Sequence, residues 1–303
     1  MTKKVIIALL VVLVVTGIFL VCTRKSGSAT VASGSLERYP SFESQNVGAR
    51  DVTVWLPDGY TAGEPCDVLY MHDGQMLFDS TVTWNGQEWE ADEVMSRLIS
   101  AGKTRRCIIV GVDNTWDRLD EYFPDKSLQY ANGGKPRVGE KAKGDAYLRF
   151  MVNELKPFID ERYKPLTTRE HTFMMGSSMG GLISLYALCE YPDIYGGVAC
   201  LSSHLSMEKL DVDIDTDLAA EGFIKYLDNN LPVSDNSLVY MDHGTEDLDA
   251  AYAPWQERVD SVFAQHGWDN EHYRSLVFKG HEHKERFWAK RLDTPLLFLL
   301  GTE

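Results

Sequence analysis

The hexapeptide Gly176-Ser177-Ser178-Met179-Gly180-Gly181 sets a serine between glycines two residues away on either side. Upstream, Thr172-Phe173-Met174-Met175 is a short apolar run that suits a buried strand. Downstream, Leu182, Leu185, Tyr186 and Cys189 recur at helical spacing until Tyr191-Pro192 stops the pattern. The order is therefore strand, sharp turn, helix, with Ser178 on the turn. Such a serine has strained backbone angles and an exposed hydroxyl. A side chain at Gly176 or Gly180 would collide across the turn, and Gly181 gives the helix room to approach the strand. The amide of Met179 sits at a helix N-terminus, where the dipole favours a developing negative charge. This is the chemistry of a nucleophile. The plainer alternative is a Gly/Ser turn that only joins a strand to a helix. A serine hydroxyl becomes a good nucleophile when a base takes its proton, and the base needs an acid to orient it.

The elements that must position this turn can be read along the chain. Val52–Leu56, Asp67–Met71, Cys107–Val112, Gly197–Leu201, Leu238–Met241 and Ser275–Phe278 are short apolar runs that read as strands. A helix is expected within Trp84–Ser100. Another is expected over Ala146–Tyr163, kinked or restarted at Pro157. Strands alternating with helices imply an α/β fold with a mostly parallel central sheet covered on both faces. Catalytic groups then belong at the carboxyl ends of the strands.

The chain has 303 residues, 44% apolar and 25% charged, with a net charge of −15. Residues 1–25 hold Lys3, Lys4, Arg24 and Lys25 and no acid, which leaves −19 on the remainder. So acidic a body argues against nucleic acid and anionic lipid as partners, and would repel strongly anionic substrates. Lys3-Lys4, the apolar run Val5–Cys22 and Arg24-Lys25 read as a signal anchor or signal peptide. The bulk of the chain is then exported and held at a membrane by residues 1–25 alone. A lipoprotein attachment at Cys22 is a weaker reading, because Val21 precedes it. Residues 26–40 read as a flexible linker and 41–303 as one domain. Cys66, Cys107, Cys189 and Cys200 match no metal site. They are expected to be buried thiols, with a Cys66–Cys107 disulfide as the alternative.

Three sets of residues together carry a resemblance. They are Tyr70-x-His72-Asp73-Gly74-Gln75-x-Leu77-Phe78-Asp79, then Val110-Gly111-Val112-x-Asn114-x3-Arg118-x2-Glu121-Tyr122, then Gly176-Ser-Ser178-Met-Gly-Gly181. Gly244-Thr245-Glu246-Asp247-Leu248-Asp249 and His283-x4-Trp288-x2-Arg291 extend it. Over residues 45–300 the chain resembles the "putative esterase" branch of the α/β-hydrolases. That branch holds feruloyl and acetyl-xylan esterases, enterochelin esterases, S-formylglutathione hydrolases and mycolyltransferases. The resemblance implies a serine esterase whose triad runs serine, acid, histidine along the chain. The acid is expected after Leu238–Met241, where the loop offers Glu246, Asp247 and Asp249. Asp247 fits the Gly-Thr-x-Asp pattern of feruloyl esterases and is chosen; Asp249 fits the pattern of other relatives and is the alternative. His283 is the expected base, five residues before Trp288 as in feruloyl esterases, and far enough past the strand to turn back to the elbow. His281 is the alternative base. The resemblance gives the oxyanion donors as the amides of Met179 and Gln75, with Gly74 opening the turn before Gln75.

Several other residues read as structural. His72 lies at a strand end, where packing or turn bonding is expected, and His204 is a candidate for the cleft wall. Asp211, Asp213, Asp215 and Asp217 lack the glycine and glutamate offsets of a calcium loop and read as a solvated acidic loop. The stretch Ser206–Asn236 is expected to form a cap that shapes the pocket. The expected function is hydrolysis of carbohydrate-linked or other small acyl esters through an acyl-enzyme, with no cofactor and no metal. The alternatives are an acyltransferase, a siderophore-lactone esterase, or an inactive carbohydrate-binding module on the same fold.

Overall fold

A computed structural model describes residues 29–131, 142–207, 216–234 and 237–302. The run Val5–Cys22, Cys22 itself, and Asp211, Asp213 and Asp215 lie outside these residues. Among the described residues no helix is long and apolar enough to cross a membrane.

Eight strands form one sheet: β1 (Ser35–Phe42), β2 (Arg50–Leu56), β3 (Asp67–His72), β4 (Cys107–Val112), β5 (Thr172–Ser177), β6 (Gly197–Leu201), β7 (Leu238–Gly244) and β8 (Tyr273–Phe278). Their order is β1-β2-β4-β3-β5-β6-β7-β8. The β1–β2 and β2–β4 pairs are antiparallel and the other five are parallel. The central strands are buried along their whole length, so their sequences are continuous apolar runs and not alternating ones. Alternation survives in where the side chains go. Val68 and Tyr70 join one apolar cluster, while Leu69 and Met71 join the other.

Helix α1 (Ala91–Ser100) packs on the second of these clusters. Helix α2 packs on the first. It begins as Gly144–Phe150, widens into a π-turn at Met151–Leu155, and continues as Lys156–Tyr163 with Pro157 in its first turn. A proline has no N–H for the ladder, and restarting the helix there removes the conflict. Helices α3 (Met179–Glu190), α4 (Thr216–Asn230) and α5 (Ala253–Gln265) join α2 on the first face. Helices α6 (Glu285–Ala289) and α7 (Asp293–Leu300) join α1 on the second. The stretch expected to cap the pocket does otherwise where it is described: α4 packs into the main core through Phe223, Tyr226 and Leu227, and none of the described residues of 206–236 lines the cleft that holds Ser178.

The stretch read as a linker, 26–40, enters the fold early. Ser35–Phe42 is the antiparallel edge strand β1. Its sequence, SLERYPSF, is largely exposed and contains a proline, so it lacks the apolar signal that marked the other strands. Ahead of it the backbone is fastened by carboxylates. The Thr30 N–H donates to Asp79 at 2.8 Å, Ala32 N–H to Asp92 at 2.8 Å, and Gly34 N–H to Asp58 at 3.0 Å. Cys66, Cys107 and Cys200 are buried free thiols and Cys189 is half-buried; none forms a disulfide. Burial pushes the Cys66 thiol up to about 12.

Asp92, which holds Ala32, is followed directly by Glu93. Burial and then Asp92 push the Glu93 carboxyl up to about 7. A folded-state value above the unfolded one means that the folded protein binds more protons, so stability is lost as pH rises from about 4.5 to about 7. Glu93→Gln should melt higher than wild type near pH 8 and show a flatter dependence of Tm on pH. Thermal melts followed by circular dichroism check this, and parallel pH curves for the two proteins would refute it.

Candidate active site

Ser178 sits between β5 and α3 with φ 58° and ψ −124°, a conformation that costs on the order of 1–3 kcal/mol for a side-chain-bearing residue. Its surroundings hold it there. The Ser178 N–H donates to the Leu201 carbonyl at 2.9 Å, and its own carbonyl accepts from Gly181, Leu182 and His204 amides. A Cβ on Gly176 would come within 2.7 Å of the Gly180 carbonyl carbon, and one on Gly181 within 2.5 Å of Ser203 Oγ. The elbow therefore requires glycine at 176, where the clash is with backbone, and favours it at 181, where Ser203 Oγ would have to move.

The loop after β7 carries three carboxylates, and only one faces inward. Asp249 is fully buried. Its Oδ1 lies 2.6 Å from His283 Nδ1, and its Oδ2 accepts the Ser202 hydroxyl and the Gly244 amide, each at 2.6 Å. Burial alone would raise the Asp249 carboxyl; His283, Ser202 and the Gly244 amide outweigh it and hold the group below the usual range. Asp247, the residue chosen from the sequence, is elsewhere. Its side chain is 52% exposed and its nearest cation is Lys284 at 3.9 Å. The reason is backbone geometry: Asp247 takes φ 57°, which turns the chain outward there and brings the carboxylate two residues later back to the histidine. Glu246 is also solvent-facing and accepts from Thr245.

His283 follows β8 and precedes α6. With Nδ1 bonded to a carboxylate it carries its proton there, which leaves Nε2 as the basic nitrogen. The Trp288 ring packs edge-on against it at 5.1 Å, and Tyr252 does the same at 5.7 Å. His281 has a different job. Its ring accepts from Arg291 at 3.2 Å, and its carbonyl receives the Thr245 and Glu246 amides. Burial and the Arg291 and Lys290 charges push its imidazole down. His281 thus ties the β8 loop to the β7 loop.

Ser202 and Arg291 complete a buried support; Arg291 is in the motif that carried the resemblance, and Ser202 is the member that sequence reading did not single out. Ser202 Oγ gives its proton to Asp249 and accepts from Trp288 Nε1 at 3.0 Å and Arg291 Nη2 at 2.8 Å. Arg291 also pairs with buried Asp242 at 2.8 Å. No spacing rule marks Ser202; its place at the end of β6 beside the elbow is visible only in three dimensions.

Ser178 and His283 line one cleft of about 280 Å³. Part of its lining is apolar and aromatic: Met76, Trp84, Trp89 and Trp288, with Trp89 and Trp288 5.4 Å apart. The rest includes the polar residues Asp73, Gln75, Asn114, Arg118 and Glu285. Trp84 is 82% exposed at the mouth, on a rim loop latched to α6 by Asn85 donating to Glu285 at 2.9 Å and by the Arg286 amide to Gln87 at 3.4 Å. His72 and His204 are not in the lining. His72 is buried against Tyr147, 2.9 Å from its hydroxyl, and burial pushes its imidazole down to about 3. His204 is buried 2.7 Å from the Tyr252 hydroxyl. No cluster of three metal-ligating side chains occurs among the described residues.

A strained serine at an elbow and a buried aspartate–histidine pair at the carboxyl ends of a parallel sheet define an α/β-hydrolase of the esterase class. The chain belongs to the family described as "Putative esterase", which it matches over residues 46–299, and it is a carboxylic ester hydrolase. It is 22% identical over 270 residues to the uncharacterized protein YbbA of Bacillus subtilis, covering 86% of this chain and 96% of that protein. It is 26% identical over 150 residues to the siderophore enterobactin esterase of Emericella nidulans, covering 47% and 48%. Among solved structures, a ferulic acid esterase of Anaeromyces mucronatus shares the fold with a TM-score of 0.63 at 17% identity, over 91% of this chain and 94% of that one.

Asp249→Asn should lower kcat by roughly 10³–10⁴-fold, the scale of losing the acid that sets a histidine's tautomer. Asp247→Asn should change it by no more than a few-fold. Steady-state hydrolysis of a chromogenic acetyl ester separates them, and the reverse ranking would return the acid role to Asp247.

Proposed function

We propose that the protein hydrolyses neutral carboxylic esters bearing a flat apolar group, through a Ser178–His283–Asp249 triad. Ser178 Oγ attacks the ester carbonyl while His283 Nε2 takes its proton. Asp249 holds the imidazole and balances the charge that forms on it. The amides of Met179 and Gln75 receive the oxyanion. His283 then protonates the leaving alcohol, and water, activated by the same nitrogen, releases the acid from the acyl-enzyme. The observation that carries this reading is the 2.6 Å Asp249–His283 contact in the cleft that also holds the strained Ser178.

The substrate class rests on the lining. Its three indoles favour a planar acyl or aryl group. The charged residues of the lining are Asp73, Arg118 and Glu285, of which Arg118 is already paired with Asp73. The cleft is therefore short of positive charge, and the acidic body adds to that. This favours neutral sugar-linked esters over the highly anionic iron complexes of catechol siderophores. Ser178→Ala should keep the fold and lose at least about 10³-fold in turnover. A burst assay with a chromogenic ester checks it, and near-wild-type turnover in the purified variant would remove the nucleophile assignment. Competing alcohols in the same assay divert the acyl group if transfer, and not hydrolysis, dominates.

The exported, tethered arrangement belongs to the same proposal. Residues 5–22 hold the enzyme at a membrane, and the carboxylate fastenings that begin at Thr30 keep the acidic domain close to it. Full-length protein should sediment with membranes and be released by detergent, not by salt. Recovery of the intact chain in the cytosolic fraction would defeat this.

A further inference from the structure

The elbow and the triad leave part of the sequence pattern unused: Asp73 before the Gln75 turn, and Asn114 and Arg118 in the loop after β4. The structure brings these together. Asp73 leaves β3 in the left-handed region, φ 57° and ψ 44°, without glycine's freedom. Its carboxylate is buried, yet three N–H groups reach it. Arg118 Nε donates to Oδ1 at 2.6 Å, Arg118 Nη2 to Oδ2 at 2.7 Å, and Asn114 Nδ2 to Oδ1 at 2.5 Å. The Asp73 backbone N–H donates to the Tyr122 hydroxyl at 3.4 Å, and the Tyr122 ring lies 5.1 Å under the Arg118 guanidinium. On the other side of the turn, the Asn114 N–H donates to Gln75 Oε1 at 3.1 Å. Below it there is no slack, since a Cβ on Gly74 would meet the Gly111 carbonyl carbon at 2.5 Å. Burial pushes the Asp73 carboxyl up, but the Arg118 charge and bonds outweigh it and hold the group below its usual range. The clamp is thus an ion pair at working pH.

We infer that Arg118, through its forked bond to Asp73, is a positioning residue that fixes the Gln75 amide as an oxyanion donor. This rests on the proposed role of that amide. A forked guanidinium–carboxylate pair sets angle as well as distance, which a lysine cannot do. The turn it fixes closes through Met76 N–H to Asp73 O and Leu77 N–H to Gly74 O, and its far end accepts the Trp89 and Ala91 amides; the Asp73 end is held by the clamp. Donors must lie within a few tenths of an ångström of where the negative charge develops, and a displacement of about 1 Å costs on the order of 100-fold. Arg118 and Asn114 also line the cleft, so a direct substrate contact is the rival role. The two roles differ in what they move: a positioning residue changes kcat and transition-state affinity, whereas a substrate contact changes KM.

Arg118→Lys, Arg118→Ala and Asn114→Ala, each checked for a wild-type circular dichroism spectrum, are assayed with p-nitrophenyl acetate and with phenylboronic acid. The boronic acid forms a tetrahedral adduct on a nucleophilic serine and places an oxygen in the oxyanion site. The expected result is a loss of roughly 100-fold in kcat for both Arg118 variants, with KM within a few-fold. Affinity for the boronic acid falls in the same proportion as kcat/KM. Tens of millimolar guanidinium ion restores part of the rate to Arg118→Ala and none to Arg118→Lys. Asn114→Ala shows the same pattern at smaller amplitude, and decides the matter if the Arg118 variants do not fold. A raised KM with kcat intact, or lost turnover with unchanged boronate affinity, overturns the inference. Failure of the esterase reading itself looks different: the wild type then shows no Ser178-dependent turnover and no boronate binding.

Discussion

The site depends on one backbone constraint repeated at neighbouring strand ends. Asp73 after β3, Ser178 after β5, Ser202 after β6 and Asp247 in the loop of β7 all carry a positive φ, between 44° and 58°, and none is glycine. A parallel sheet delivers its strands pointing the same way, and each chain must turn sharply to enter a helix or loop. Turning through the left-handed region does this in a single residue, at a cost of on the order of 1 kcal/mol or more each. The fold pays for that conformation with close backbone contacts around glycine and with charged hydrogen bonds. In return, the turns at Asp73, Ser178 and Asp247 all follow the carboxyl ends of strands of one sheet.

The second element of the design is a buried charged assembly. Asp249, Asp242, Arg291 and Ser202 are almost wholly withdrawn from solvent. Isolated charges there would be very costly, so each has a partner: Arg291 answers Asp242, and Asp249 is answered by His283, Ser202 and the Gly244 amide. Removing one partner leaves another unsatisfied, so the assembly either stands whole or fails as a unit. Such a network fixes the angle of the Asp249 carboxylate more tightly than apolar packing could. That tightness also fixes the orientation of the His283 ring bonded to Asp249.

Much of this could be read from the sequence. The strands β3 to β7 are continuous apolar runs because both faces are covered, and the glycine at 176 is a steric requirement that a sequence displays directly; at Gly180 the contact is looser than expected, since a Cβ there would lie 3.2 Å from His72 Cβ. His283, favoured over His281 on loop length and the Trp288 spacing, is the one of the two that meets a buried carboxylate. Which carboxylate it meets was not readable in the same way, because Asp247 and Asp249 differ only in which of them follows a left-handed turn, and no residue type announces that. Strand β1 was hidden by its exposure and its proline. Ser202 and the rim residues Trp84 and Glu285 come from elements far apart in the chain, and only the sheet order brings them together.

The ties around the cleft mouth also make it a mechanical object. Thr30 is bonded to Asp79, the rim loop that starts there is bonded through Asn85 to Glu285, and Glu285 stands two residues beyond His283. Tension at Thr30 is therefore passed in part to the rim of the cleft through Asp79, and in part to Asp92 and Asp58 through Ala32 and Gly34. The strand that follows, β1, is an edge strand joined to the sheet along one side only. The fastening of the segment ahead of β1 and the latch of the rim loop thus lie on one load path, so the compliance of the opening is set in part by bonds made well away from the reacting serine.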